Sequence, residues 1–319
     1  MLNTTDRYIV FLDSDTLKFM YLSYIKSRNY PVMNKLYTLL HEGYKSNLVI
    51  TPISFNHILP YIDKNMISNE FLNMMGSIGQ IQFHQSFTIR TLQLIRVINS
   101  FFGQNYEKPI WRDSFSSYPD EKYNPGFNKY HSISAQNVLK AIEREKNSSQ
   151  IYFFIESFKE GKTIEDIAGE YFKYLWEKFP DIIKPYLPVD GDPEYYFKSF
   201  IENEEIKNIP EYHIVSNILY PLFEKYGIKD VEYGLKDDLL LAAETTAAYM
   251  PYCHYYVTTV DVAELVMITR MNEPYDVNIY DHNESSLYRL IDDLTESLKV
   301  KRVESKKKIS KTAFRKSRF

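Results

Sequence analysis

The residues best suited to chemistry are aspartates placed where a predicted strand ends or a predicted helix begins. They are Asp13, Asp15, Asp237, Asp238 and Asp261. Hard divalent cations such as Mg²⁺ and Mn²⁺ prefer oxygen ligands, and two or three carboxylates are a usual contribution from a protein. Without a cation, carboxylates gathered at one place would repel one another. The pattern therefore predicts a divalent-metal site, although each aspartate taken singly is also typical of a helix cap or a turn.

Strands and helices alternate in the two outer parts of the sequence, and this alternation positions the aspartates. Apolar, β-branched and aromatic runs predict four strands, at 8–12, 48–51, 254–259 and 277–280. Strands that alternate with helices predict a parallel α/β sheet, whose ligands collect at the carboxyl ends of the strands. We expect this sheet in one discontinuous domain, residues 1–60 and 209–298, with Asp13 and Asp261 at two strand ends.

The middle of the chain, residues 61–208, is predicted to be a mainly α-helical insertion. It has amphipathic stretches at 87–102, 134–145 and 163–179, separated by loops rich in Pro, Asn, Ser and Gly. Strand signals are scarce there. We expect the insertion to shape substrate access or to bind an inhibitor or complex partner, and a homo-oligomer is a further expectation.

Two helix ends are predicted from local signals. Gly43 follows an amphipathic run over 33–42 and is expected to act as a C-cap, because glycine adopts the left-handed conformation without strain. A closing helix is expected over residues 284–298. It is preceded by the segment Asp281–Glu284, which is predicted to be a turn that leads into this helix.

The charge of the chain is unevenly distributed. The formal net charge is −4, but residues 299–319 contain ten basic residues and one acidic residue, so this segment carries +9 and the rest of the chain −13. A basic segment of this kind is typical either of a solvated, disordered tail or of an arm that binds a polyanion. We predict a disordered tail with RNA as partner, and Lys306, Lys307 and Lys308 as substrate contacts.

Several function classes are excluded by what the sequence lacks. It has no GxGxxG or GxxxxGK[ST] motif, which argues against a glycine-rich nucleotide site. The single cysteine, Cys253, cannot form an internal disulfide, and no stretch is apolar enough to cross a membrane or to act as a secretory signal. A cytoplasmic protein is therefore expected. The histidines, among them His254 and His282, lack the spacing of a zinc site and are expected to be structural.

Three motifs in order resemble the PIN-domain nuclease family. The first is the strand end Phe11–Leu17 (FLDSDTL), the second the helix start Asp238–Ala243 (DLLLAA), and the third the T-x-D sequence Thr259–Asp261. The resemblance covers about 150 residues, those of the discontinuous domain, and the insertion resembles no known family. It implies a three-layer α/β/α sandwich around a parallel sheet.

The resemblance also implies an activity and a set of site residues. Most PIN domains cut RNA with one or two Mg²⁺ or Mn²⁺ ions, so Asp13, Asp238 and Asp261 are the expected catalytic, metal-binding carboxylates. Asp15 and Asp237 are additional ligand candidates, and Thr259 is a candidate substrate contact. A role in defence or RNA regulation is expected, because toxins of the family are much shorter.

One element of the family pattern is missing. PIN domains usually carry a glutamate on the helix after the second strand, and this chain has His57 at the corresponding position. His57 is therefore either a substrate or metal contact or a packed structural residue. Asp63 and Glu70 are the acids that could take the place of the glutamate.

Two other interpretations stay open. The chain could be a PIN-like scaffold that has lost catalysis and binds RNA or a protein partner. It could also be a phosphohydrolase of the haloacid dehalogenase type, a class whose D-x-D-x-T motif resembles Asp13–Thr16 with the threonine one residue early. In that class the first aspartate, here Asp13, is the nucleophile.

Overall fold

The structure is a computed structural model. It describes residues 7–26, 30–52, 69–79, 86–103, 151–178, 180–184, 187–188, 190–203, 206–207, 209–227 and 237–316. The predicted helix at 134–145 lies outside these residues.

A parallel sheet of four short strands lies at the centre of the described structure. The strands are β1 (Tyr8–Phe11), β2 (Val49–Ile50), β3 (Tyr255–Thr258) and β4 (Asn278–Asp281). Their order across the sheet is β2-β1-β3-β4, and every neighbouring pair is parallel. The predicted parallel α/β sheet is thereby confirmed. Each strand lies within two residues of its predicted position.

Helices connect the strands, as parallel pairing requires. Between β1 and β2 lie α1 (Ser14–Lys26) and α2 (Pro31–Lys45). Between β2 and β3 lie α3 (Asn69–Ile78), α4 (Ser86–Phe101), α5 (Ile151–Lys159), α6 (Ile164–Lys178), α7 (Pro180–Ile183), α8 (Pro193–Ile201), α9 (Pro210–Tyr226) and α10 (Asp237–Tyr249). Next come α11 (Val260–Thr269), between β3 and β4, and α12 (Glu284–Lys316), after β4. Among the described residues, no helix combines the length and apolar composition needed to cross a membrane.

Both faces of the sheet are buried, because successive side chains of a strand point to opposite faces. Ile9 and Phe11 of β1 belong to one hydrophobic cluster, which also contains residues of α4–α6 and α8–α11. Val10 and Leu12 belong to a second cluster, which contains residues of α1, α2, α3 and α12. The strands therefore read as continuous apolar runs.

The described helices of the insertion share their cores with the sheet. Met74 and Ile78 of α3 lie in the same cluster as Val10, whereas Ile98 of α4 and Tyr171 of α6 lie in the same cluster as Phe11. The first described helix of the insertion and the later ones thus contribute to opposite faces. Within the described ranges, the insertion helices form one packing unit with the α/β sheet.

Gly43 differs from its predicted role. Helix α2 continues past it to Lys45, and the left-handed residue that follows is Asn47, with φ of 60°. A Cβ on Gly43 would lie 2.5 Å from a methyl carbon of Val49. Glycine is therefore required here because β2 packs closely against α2, and the C-cap prediction is wrong.

The last helix is longer than its predicted bounds. It begins at Glu284, as expected, but continues beyond Leu298 to Lys316, through the segment predicted to be a disordered tail. No Gly or Pro interrupts residues 284–316, and Lys, Arg and Glu are good helix formers. Local propensity is therefore consistent with the helical backbone.

Candidate metal site

Three strands end at the same level, and this creates the site. Phe11 pairs with Tyr256 in the β1–β3 ladder, so Asp13, two residues later, lies beside Thr258. Thr258 in turn pairs with Asp281 of β4. We call this edge the carboxyl end of the sheet. The residues that follow the strands, among them Asp13 and His282, therefore meet here.

Asp13 is fixed by the start of α1. Its Oδ1 accepts a hydrogen bond of 3.0 Å from the backbone N–H of Thr16. This is the geometry of an N-cap, in which a side-chain oxygen satisfies an amide of the first helical turn. The cap prediction for Asp13 is therefore confirmed. It leaves the second oxygen, Oδ2, directed to another partner.

That partner is His282, 269 positions later in the sequence. Its Nδ1 lies 3.1 Å from Asp13 Oδ2, and the two side chains are 28% and 12% exposed. The hydrogen bond to Asp13 raises the pKa of His282, and the charges of Asp13, Asp15 and Asp281 act in the same direction, against the opposing effect of burial. An imidazole that carries a proton on Nδ1 donates it to this carboxylate.

The turn after β4 holds His282 in position. The backbone N–H of Asp281 donates to the hydroxyl of Ser286 at 3.0 Å, and Asp281 Oδ1 accepts from the N–H of Asn283 at 2.7 Å. Helix α12 then begins at Glu284, so the predicted turn into a helix is confirmed. His282 is thereby placed by a strand end on one side and a helix start on the other.

Asp13, Asp15 and His282 form one group of potential metal ligands. One donor atom from each lies within 4.8 Å of the other two, and all three residues are partly buried. Two carboxylates and one imidazole form a mixed donor set. Carboxylates suit Mg²⁺ and Mn²⁺, whereas imidazole favours transition metals, so the set fits Mn²⁺ better than Mg²⁺.

Two buried hydroxyls belong to residues that follow the ends of β1 and β3. Thr16 is fully buried, and its Oγ1 has no hydrogen-bond partner among the described residues. The Oγ1 of Thr259 is likewise buried without a described partner, although Thr259 occupies the N-cap position of α11. Thr259 directly follows the Thr258–Asp281 pair, so its backbone lies beside His282. A buried hydroxyl without a partner is unfavourable.

Asp261 has different partners. It lies in the first turn of α11, and its Oδ1 accepts from Lys225 Nζ at 2.6 Å and from the hydroxyl of Tyr226 at 2.7 Å. Among the described residues, the group that could share one ion with Asp13 does not include Asp261. The Lys225 ammonium balances the charge of Asp261, so repulsion between Asp261 and Asp13 no longer requires a cation.

The remaining predicted acids are only partly described. Helix α10 begins at Asp237, which confirms a helix start at this aspartate pair, but the side chains of Asp237 and Asp238 lie outside the described residues. His57 and Asp63 also lie outside them. Glu70 is exposed in the first turn of α3. The metal role of Asp238 stays a prediction.

The predicted lysine contacts lie far from this site. Helix α12 starts at the carboxyl end of the sheet, and Ser297 already contacts Tyr255, the first residue of β3, through hydroxyls 2.6 Å apart. The Nζ of Lys301 lies 4.0 Å from the ring centroid of Tyr8, the first residue of β1. Lys306, Lys307 and Lys308 follow on the same helix, beyond the amino end of the sheet.

His282 is the site residue that sequence reasoning missed. The spacing of the histidines gave no metal signal, because its partners lie at the other end of the chain. The position of His282 directly after a predicted strand, like that of Asp13, could have identified it as a site residue. In a parallel sheet that position is at the carboxyl end.

Comparisons of the chain with protein-family models, curated proteins and solved structures found no match. The likeness to PIN-domain nucleases therefore rests on the sequence motifs.

Proposed function

We propose that the protein is a divalent-cation-dependent nuclease of PIN-like design that hydrolyses RNA phosphodiester bonds at the carboxyl end of its sheet. The observation that carries the proposal is the convergence of Asp13, Asp15 and His282 within 4.8 Å. The parallel sheet, with β1 in an inner position and an aspartate after it, supports the PIN-like arrangement.

In this proposal, side chains of the protein bind and position the cation. Asp13 stays aligned by the Thr16 amide through Oδ1 and offers Oδ2 to the cation, together with Asp15 and the imidazole of His282. When bound, the cation lowers the pKa of a water molecule and offsets charge on the phosphate. His282 loses its proton as it becomes a ligand, because only neutral imidazole binds a metal.

His282 supplies a ligand that the family resemblance did not assign. Asp261 keeps its bonds to Lys225 and Tyr226 and supports the start of α11 from outside the ligand group. The hydroxyl of Thr259, which directly follows β3 and has no partner among the described residues, is suited to a phosphate oxygen or a water molecule.

The decisive experiment is RNA cleavage with Mn²⁺ or EDTA by the wild type and by Asp13→Asn. We expect cleavage by the wild type with Mn²⁺, none with EDTA, and a loss of at least about 100-fold in Asp13→Asn, because the amide neither carries charge nor readily binds the cation. Asp190→Asn, an exposed position outside the site, is the matched control and should cleave normally.

Two results would overturn the nuclease proposal. Cleavage that survives EDTA, or that is equal in Asp13→Asn and the wild type, would exclude this metal site. Absence of both cleavage and Mn²⁺ binding, with RNA binding retained, would instead identify the scaffold alternative, in which Asp13 and His282 form only a structural ion pair.

A phosphohydrolase with Asp13 as nucleophile is the second candidate. The observation that favours it is that Asp15 joins Asp13 in the ligand group, as the paired aspartates of that class would. The test is hydrolysis of a small phosphate monoester with detection of an acyl phosphate on Asp13 by mass spectrometry. An intact phosphoaspartate would replace the nuclease proposal, and its absence together with RNA cleavage would exclude this candidate.

A further inference from the structure

The C-terminal half of α12 extends past the amino end of the sheet. Tyr255 and Tyr8, the first residues of β3 and β1, contact Ser297 and Lys301 of this helix. Val303, two residues later, is 51% exposed. The helical backbone continues to Lys316. We call residues 302–316 the basic extension. It spans roughly 21 Å, at 1.5 Å per residue.

The basic extension has a strong net positive charge. It contains seven basic residues, namely Arg302, Lys306, Lys307, Lys308, Lys311, Arg315 and Lys316, and a single acid, Glu304. Its net charge is therefore +6, which leaves −10 on the remainder of a chain whose total is −4. The net charges would thus attract a polyanion to the extension and oppose its binding to the remainder of the chain.

Like charges recur at helical spacing within the extension. Arg302 and Lys306, Lys307 and Lys311, and Lys311 and Arg315 are each four positions apart. Such pairs oppose helix formation by a few tenths of a kcal/mol each. A ligand that carries regularly spaced negative charges would remove this repulsion and stabilise the helix.

The pattern favours a nucleic acid over an anionic membrane. A helix that lies in a membrane surface needs a continuous apolar face. On a helical wheel of the sequence at about 100° per residue, Val303 and Phe314 fall in one sector, Ile309 and Ala313 fall in another, and Lys306 falls between them. The sequence pattern is therefore not that of a continuous apolar face, whereas basic residues distributed around the wheel suit a phosphate backbone that passes along the helix.

The extension and the metal site cannot contact the same phosphate. Helix α12 needs 17 residue steps, roughly 26 Å, to run from Glu284, beside the carboxyl end of the sheet, to Lys301 at the amino end. Lys306 lies still farther along the same axis. A ligand bound to the extension must therefore pass around the body of the protein to reach the metal site. Otherwise the two sites bind separate ligands.

We propose that the basic extension is a second nucleic-acid-binding site, which grips the phosphate backbone at a distance from the metal site. This inference rests on the proposed function, because it assigns a remote contact to the same class of substrate. It implies a substrate longer than the few nucleotides that the metal site alone could hold. The extension contributes affinity, and the carboxyl end of the sheet contributes the chemistry.

The test is binding of a fluorescent single-stranded RNA of about 30 nucleotides, in EDTA and at salt concentrations from about 50 to about 200 mM. The variant is Lys306→Gln, Lys307→Gln, Lys308→Gln and Lys311→Gln combined. Each phosphate contact contributes a slope of about −0.7 in log K against log salt for a single strand. Loss of four contacts therefore means that wild-type affinity falls about 50-fold more than that of the variant over this range.

Matched controls separate the position of the charges from their number. The combined variant Lys45→Gln, Lys173→Gln, Lys198→Gln and Lys207→Gln removes four exposed lysines elsewhere and should keep the wild-type salt slope. Replacement of the same four extension lysines by arginine keeps the charge and should preserve binding.

The proposal is overturned if the extension variant keeps the wild-type salt slope, or if the control variant loses as much slope. Lysine-dependent binding to phosphatidylserine vesicles without RNA binding would replace it with a membrane contact. Cleavage and Mn²⁺ binding test the metal site separately. A failure of either site is therefore distinguishable from a failure of the other.

Discussion

The two ends of the parallel sheet each hold a histidine, in opposite electrostatic surroundings. At the carboxyl end, His282 lies beside Asp13, with Asp15 and Asp281 nearby, and its pKa is raised. At the amino end, burial lowers the pKa of His254 to about 4, and the charge of Lys301 acts in the same direction, with only Asp276 opposing. Position along the strands therefore decides which form of the imidazole the fold favours.

The hydrogen bonds of the two histidines match these protonation states. The Nδ1 of His254 accepts a hydrogen bond of 3.0 Å from the backbone N–H of Ile9, which only the neutral ring can do. The Nδ1 of His282 faces a carboxylate, to which the ring donates when that nitrogen carries a proton. His254 thus joins β1 to β3 as part of the framework, whereas His282 can exchange its proton for a cation.

The largest expected effect is on acid stability, through His254. In the unfolded chain, the imidazole of His254 takes up a proton near pH 6.5, whereas in the native state it does so only near pH 4. The free energy of unfolding should therefore fall as pH decreases between these values, by up to about 3 kcal/mol. Urea unfolding of the wild type and of His254→Gln at about pH 7 and about pH 4.5 measures this contribution.

The glutamine variant should lose this part of the pH dependence, because its amide can still accept from Ile9 but does not titrate. Equal pH dependence in His254→Gln and the wild type would contradict the assignment.

The next effect concerns metal binding at the opposite end of the sheet. Asp13→Asn should weaken Mn²⁺ binding by at least about 100-fold, because loss of a residue that only supports a ligand already costs about 10–100-fold. Isothermal titration calorimetry measures the affinity for Mn²⁺ independently of catalysis. Asp190→Asn should bind as the wild type does, and unchanged affinity in Asp13→Asn would remove the proposed site.

A smaller effect should distinguish Mn²⁺ from Mg²⁺ through His282. His282→Gln should reduce Mn²⁺ affinity about 10-fold or more and Mg²⁺ affinity less, because imidazole favours transition metals. Since the pKa of His282 is raised, protons should compete with Mn²⁺, so wild-type affinity should fall as pH falls through that raised pKa.

The glutamine variant should bind Mn²⁺ with a weaker pH dependence, and His213→Gln, which lies on α9, serves as the histidine control. If His282→Gln lost the same factor of affinity for Mn²⁺ and for Mg²⁺, His282 would act only by positioning Asp13.

The smallest effect links the amino end of the sheet to the basic helix. Lys301→Gln removes the cation over the Tyr8 ring, a contact worth about 0.5–1 kcal/mol. It should also raise the pKa of His254, because the charge of Lys301 lowers it. NMR titration of the imidazole measures this shift. Lys299→Gln, next to Glu296 on the surface, should leave the pKa unchanged, and an unchanged pKa in Lys301→Gln would contradict the coupling.

Some features of the fold followed directly from local sequence. The run YIVFL predicted β1, and strand–helix alternation predicted parallel pairing, because both depend on periodicity over a few residues. Gly43 shows where such reasoning fails. The residue is typical of a C-cap, but its role depends on how closely Val49 approaches from the following strand. Close approach is a property of packing, which a local pattern does not contain.

By itself, the sequence determined that Asp13 follows a buried strand and caps the next helix, since both interactions lie within a few residues. The tertiary structure decided which side chains share that place. Strand order and ladder register bring His282 to Asp13 across 269 positions and give Asp261 to Lys225 and Tyr226 instead. Register depends on the packing of both sheet faces at once, so only the folded chain specifies which distant residues become neighbours.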